Sequence, residues 1–170
     1  EHMHKFAKIA AAVGALLAVG TLNAATVTPA PTFQVTATVP AVCLASATAM
    51  AFGTYTQGAG DDLQTSAVNV RCTTGTAFTV GLNAGATAGA TVTTRAMLNG
   101  TNQLAYQLFR DAGRTQNWGT TAGTDTVAGT GTGVANTVAL TVYGRIVDST
   151  ANQNVPAGNY TDTVTVTVTY

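Results

Sequence analysis

Three observations predict an all-β domain. No stretch beyond the first 25 residues sustains the 3.6-residue apolar spacing of a helix, and Thr, Val, Ala and Gly dominate, as in strands joined by loops. Residues 162–170 read D-T-V-T-V-T-V-T-Y, so Val164, Val166, Val168 and Tyr170 share one face and Thr163, Thr165, Thr167 and Thr169 the other. Short apolar runs are separated by Gly, Asn and Asp, the pattern of a sandwich rather than of βαβ units.

In chain order, the first element is an export leader. Lys5 and Lys8 form a basic start, 9–19 an apolar run, and Ala24 and Ala25 small residues for cleavage between Ala24 and Thr26. A membrane anchor is the competing reading, but the run is shorter than the roughly 20 residues a spanning helix needs. Met3 reads as the initiator, with Glu1 and His2 an addition ahead of it. The remainder suffices for one domain with a real core and not for two.

The next strand, 32–39, alternates, turning Phe33, Val35, Ala37 and Val39 to one side. Pro29 and Pro31 ahead of it favour an extended chain. Further strands are predicted at 41–45, 49–55, 67–72, 78–83, 93–98, 104–109, 137–147 and 160–170. Within 104–109, alternation places Leu104, Tyr106 and Leu108 on one face and Phe109 on the other. Residues 119–133, rich in Gly and Thr, read as a mobile loop; their G-T-G-T-G core opens no helix and has no Lys, against a phosphate loop. The sequons at Asn99 and Asn159 are short enough to occur by chance.

Without the leader the chain has no His, Lys or Glu. Arg71, Arg95, Arg110, Arg114 and Arg145 stand against Asp61, Asp62, Asp111, Asp125, Asp148 and Asp162, so no basic patch for nucleic acid forms. Triad and metal hydrolases lack their usual base and ligands, which argues against an enzyme, a metal site and a cofactor. Asp61 and Asp62 read as an exposed turn, and a carboxylate pair drawn from the other aspartates is disfavoured against solvated loops. Arg110, Asp111 and Arg114 read as an ion-paired turn. Trp118, Tyr106, Phe109 and Tyr143 could form a sugar-stacking platform, though part of this group is more simply core. Cys43 and Cys72 are the only cysteines, and in an exported chain they read as a disulfide, since a metal would need further ligands. Closing that loop would constrain the unfolded chain by about 3.5 kcal/mol.

The runs F-Q-V-T-A-T-V-P-A-V-C (33–43), A-F-G-T-Y (51–55), L-A-Y-Q-L-F-R-D-A (104–112), W-G (118–119), V-Y-G-R-I (142–146) and P-A-G-N-Y-T-D-T-V-T-V-T-V-T-Y (156–170) together resemble the spore coat protein U domain family, which includes major subunits of archaic Csu-type chaperone-usher pili. The likeness follows almost the whole chain after the leader, in the same order. It implies an immunoglobulin-like sandwich lacking its final strand, exported to a Gram-negative periplasm. There a chaperone lends a strand, and an outer-membrane usher exchanges it for the N-terminal segment of the next copy. Carried onto this chain, that gives a signal peptide at 1–25, a donor segment at 26–40 with Phe33, Val35, Ala37 and Val39 entering the groove, and an incomplete body at 41–170. The groove edge would be Val164, Val166, Val168 and Tyr170.

The residues support the same expectation physically. An edge as long and apolar as 164–170, without Lys or Pro, needs a cover. The function implied is a fimbrial structural subunit on the cell surface, serving adhesion and biofilm formation. Its partners would be copies of itself, a periplasmic chaperone and an usher. The alternatives are a spore-coat or outer-surface protein that fills its own gap, and a sugar-binding adhesin with a glycan receptor.

Overall fold

A computed structural model describes residues 31–170; the leader and the first part of the donor segment lie outside the described residues. Eight strands follow one another: β1 (Cys43–Ala47), β2 (Asp62–Cys72), β3 (Ala77–Leu82), β4 (Arg95–Asn99), β5 (Asn102–Phe109), β6 (Val127–Thr130), β7 (Val138–Ile146) and β8 (Val166–Thr169). Among the described residues one 3₁₀ turn, Asn152–Asn154, precedes β8. The strands form a five-stranded sheet, β1-β2-β7-β5-β4, and a three-stranded sheet, β6-β3-β8, with every pairing antiparallel.

Alternation builds the core. β2 turns Val68, Val70 and Cys72 inward, β5 Leu104, Tyr106 and Leu108, β7 Val142 and Ile146, and β3 Phe78, Val80 and Leu82. Trp118 is buried among them and its indole N–H donates to the Val80 carbonyl at 2.9 Å. Each fully buried apolar side chain contributes roughly 1.5–3 kcal/mol.

Several predicted elements differ. Residues 32–39 form no strand: 31–42 have no regular secondary structure. Residues 41–45 give way to β1, which starts at Cys43. Residues 49–55 alternate like a strand, yet Met50, Phe52 and Tyr55 pack on the core without a ladder, and Gly53 turns the chain at φ 73°. Gly144 on β7 makes room for them: a Cβ there would collide with the Met50 sulfur and lie 2.9 Å from Phe52 Cζ.

The predicted loop at 119–133 contains β6, which pairs with β3 in the register Phe78↔Gly129. The Phe78 ring occupies the space a side chain at 129 would need, so β6 carries no apolar signal of its own. β2 opens at Asp62, earlier than predicted, since the large sheet continues to the pair Asp62↔Ile146. The predicted strand 160–170 pairs regularly only over Val166–Thr169, because β3 ends at Leu82; a lone bridge joins Thr161 to Leu98.

Candidate functional site

The site is a cleft between the two sheets. β8 pairs with β3 on one side only, and β1 pairs with β2 on one side only, so each presents a free edge. Ala45 and Ala47 on β1 sit opposite Val70 and Val68, which are 0% and 2% exposed, and therefore point toward the interior; both are nevertheless exposed. Such edges present unpaired N–H and C=O groups on which a further strand can pair. The cleft, of ≈ 500 Å³, has a floor of Val68, Tyr106, Leu108 and Val142 and walls formed by 47–52 and 160–166.

Of the predicted groove edge, Val164 and Val166 line this cleft and Val168 packs on the core opposite Val80. Tyr170 stands apart, 61% exposed beside Ala77 and Thr130. Thr163, Thr165, Thr167 and Thr169 face solvent, as period two requires. Phe33, Val35 and Val39 are 88%, 81% and 80% exposed, and Ala37 is exposed as well. Cys43 and Cys72 are joined by a disulfide and form the first rung of the β1–β2 ladder.

One end of the cleft is polar. The Tyr106 hydroxyl donates to Asp162 Oδ2 at 2.6 Å, while Asp162 Oδ1 accepts the Ala86 and Thr163 N–H groups at 2.7 Å each. Burial, then the bond to Asp162, pushes the Tyr106 pKa up, so the phenol stays protonated and donating. Beside it Arg95 is fully buried, and its guanidinium donates to the carbonyls of Asn83, Val92, Leu82 and Trp118 at 2.7–2.8 Å. Sequence reasoning missed Arg95, because nothing local announces a charged side chain that main-chain carbonyls will surround.

The predicted aspartate and arginine roles are corrected by geometry. Asp111 makes no ion pair with Arg110 or Arg114; it accepts the N–H of Gln116 first and then that of Thr115, which hold its pKa below the usual carboxylate range. Arg114 instead donates to the Gly144 and Gln64 carbonyls and lies 5.7 Å over the Tyr143 ring. Asp61 and Asp62 are not in a turn: Asp61 lies just ahead of β2 and Asp62 is its first residue, with Asp61 Oδ1 accepting the Asp148 N–H at 2.9 Å. Asp148 gathers Tyr55 Oη and the N–H groups of Gly58 and Gly60 at 2.7–3.0 Å, which hold its pKa down at about 2. The sugar-platform reading fails at its centre: Trp118 is wholly buried and Tyr106 and Phe109 are 5% and 4% exposed, so these rings offer no flat face to solvent.

The sequence model of the Spore Coat Protein U domain matches residues 30–167. Protein U of Myxococcus xanthus is 36% identical over 131 residues, 70% of each chain. The fold is similar to a chain in the crystal structure of the CsuC-CsuE chaperone-tip adhesion subunit pre-assembly complex from archaic chaperone-usher Csu pili of Acinetobacter baumannii, with a TM-score of 0.55 and 27% identity. That likeness covers 78% of this chain and 40% of the other, so the present chain spans about two-fifths of its length.

Proposed function

The chain belongs to the Spore Coat Protein U domain family, and on that premise we propose that it is a structural subunit of an archaic chaperone-usher pilus that polymerises by donor-strand exchange. One observation carries the reading: the inward faces of β1 and β8 flank an apolar cleft that no strand of the described body fills. An added strand would satisfy the free N–H and C=O groups of the β8 edge and cover Val164 and Val166. This is recognition by β-strand addition, of which pilin complementation is a known example. The segment suited to it is 33–39. Burying Phe33, Val35 and Val39 would contribute roughly 1.5–3 kcal/mol each.

In this reading a periplasmic chaperone covers the cleft first, and an outer-membrane usher then seats the arm of the next copy. Since the arm of one copy enters the cleft of another, the contact is heterologous and open, and it propagates into a fibre. The fibre would stand on the cell surface and serve adhesion and biofilm formation.

The test compares the mature chain with a deletion of 25–39 by gel ladders in mild detergent, size exclusion and heating. Heat-resistant ladders from the full chain, absent from the deletion, support the proposal. A deletion variant that is an equally soluble and stable monomer, with no ladder from the full chain, overturns it.

A further inference from the structure

We propose that Met50 and Met97 form a paired oxidation site, at which a peroxide converts both thioethers to sulfoxides and so shuts the open cleft to a donor strand; the inference rests on the donor-strand reading above. After the leader these are the only methionines in the chain, and both line the cleft. The only cysteines are already joined as Cys43–Cys72. Every sulfur of the body still available to an oxidant therefore lies where the arm would sit.

Both side chains face the cleft and neither is sealed. Met97 sits opposite Leu104 in the β4–β5 ladder, and Leu104 is 5% exposed, so Met97 points inward. It is nevertheless only partly buried, because the cleft is open above it. Met50 is partly buried as well, and its sulfur lies over Gly144, in the space a side chain there would take. A thioether on a flexible stem suits a cleft that must accept a chaperone's strand first and a sister arm later. The same soft sulfur is the atom that peroxides attack.

The step needs only the oxidant. The sulfur lone pair attacks one oxygen of hydrogen peroxide, an S–O bond forms and the O–O bond breaks; the S–OH proton passes to the departing hydroxide, which leaves as water. The sulfur is oxidised by two electrons and the peroxide is reduced by two. The sulfoxide is polar where the thioether was apolar. Water solvates the new oxygen while the cleft is open, and a seated arm would strip that water away. Nearby donors are taken: the Tyr106, Ser66 and Tyr160 hydroxyls donate to Asp162 and to the Thr48 and Pro156 carbonyls. An unpartnered oxygen buried over Val68, Leu108 and Val142 weakens seating by at least about tenfold for each sulfoxide. A filled cleft keeps peroxide out, so copies already joined are spared.

The experiment treats the mature chain, before and after polymerisation, with hydrogen peroxide and maps oxygen uptake by mass spectrometry. Titration with a synthetic peptide of 31–39 reads the cleft, thermal melts report whether each chain is folded, and a variant carrying Met50→Leu with Met97→Leu keeps the volume without the sulfur. The expected result is one oxygen on each methionine of the open chain and little on the polymer. Peptide binding should weaken by at least about tenfold per sulfoxide and return on treatment with the two methionine sulfoxide reductases, one for each epimer. Peroxide should leave the leucine variant's binding unchanged. Five results overturn the inference and leave donor exchange standing: no oxygen uptake by the open chain, equal uptake by the polymer, undiminished binding by the oxidised chain, equal loss in the leucine variant, or unfolding of the oxidised chain. An untreated chain that neither binds the peptide nor forms ladders overturns the donor-strand reading, and this inference with it.

Discussion

The Tyr106 hydroxyl and the Asp162 carboxylate meet at 2.6 Å, and this bond ties β5 of the large sheet to the run that leads into β8 of the small one. It spans the end of the cleft where Met97 and Tyr160 lie, so it fixes the gap between the two walls at that end.

Tyr106→Phe removes the donor but keeps the ring. Asp162 retains the Ala86 and Thr163 N–H groups, so the loss is one buried hydrogen bond to a charged acceptor, about 1.5–3 kcal/mol. Urea unfolding should show a lower midpoint with an unchanged slope. An unchanged midpoint would mean that the two walls are held by packing alone.

Arg95→Met should be costlier. Four carbonyls lose the guanidinium as a donor in a buried site, although Val92 keeps a bond from the Asn117 side-chain amide, and the expected loss is at least about 3 kcal/mol. Arg95→Lys offers a point charge instead of a planar fork and should recover only part of it. Thermal melts of the three chains check the order.

The Tyr55–Asp148 clasp titrates at both extremes of pH. Asp148 is depressed from 3.8 to about 2, so its contribution is complete above 3.8 and is lost as pH falls toward 2. Tyr55 is raised from 10.0 to about 12, first by burial and then by its bond to Asp148, so its contribution is complete below 10.0 and is lost as pH rises toward 12. Hydrogen exchange at the Gly58 and Gly60 amides should quicken, relative to reference loops, in the acid window. In Asp148→Asn that window should disappear.

Two glycines separate space in the cleft from space in the frame. A Cβ on Gly144 meets only the far ends of Met50 and Phe52, which can swing aside into the cleft, so Gly144→Ala should cost about 1 kcal/mol in stability while weakening the binding of a 31–39 peptide. A Cβ on Gly131 meets the Thr73 carbonyl oxygen, with Cys72 Cβ at 2.7 Å and the Cys72 carbonyl oxygen at 2.8 Å, and these cannot yield. Gly131→Ala should therefore cost roughly 1–3 kcal/mol. Calorimetry and peptide titration separate the two effects.

How much of this was readable from the sequence depends on where the signal resides. Strands whose own side chains alternate between core and solvent were legible: 104–109, 67–72 and the Val164–Val166–Val168 face follow from period two alone. The cysteine pair was legible from count and compartment. β6 was not, because its inward position is Gly129 and the apolar mass belongs to Phe78 on the partner strand. Residues 49–55 misled in the opposite way, since Met50 and Phe52 alternate correctly but have no ladder to join. Phe109 faces outward as expected, yet it is 4% exposed because Arg145 lies 5.0 Å over its ring, a cover that no local pattern encodes.

The disulfide at the first rung of β1 bears on how such a subunit would behave when pulled. Tension arriving through the arm would act at Cys43, and without the sulfur link it would peel β1 away from β2 one pair at a time, beginning at that rung. With Cys43 tied to Cys72, the load passes directly into β2, through 73–76 into β3, and across the ladder to β8. The chain between the cysteines, 29 positions apart, then has no slack to give.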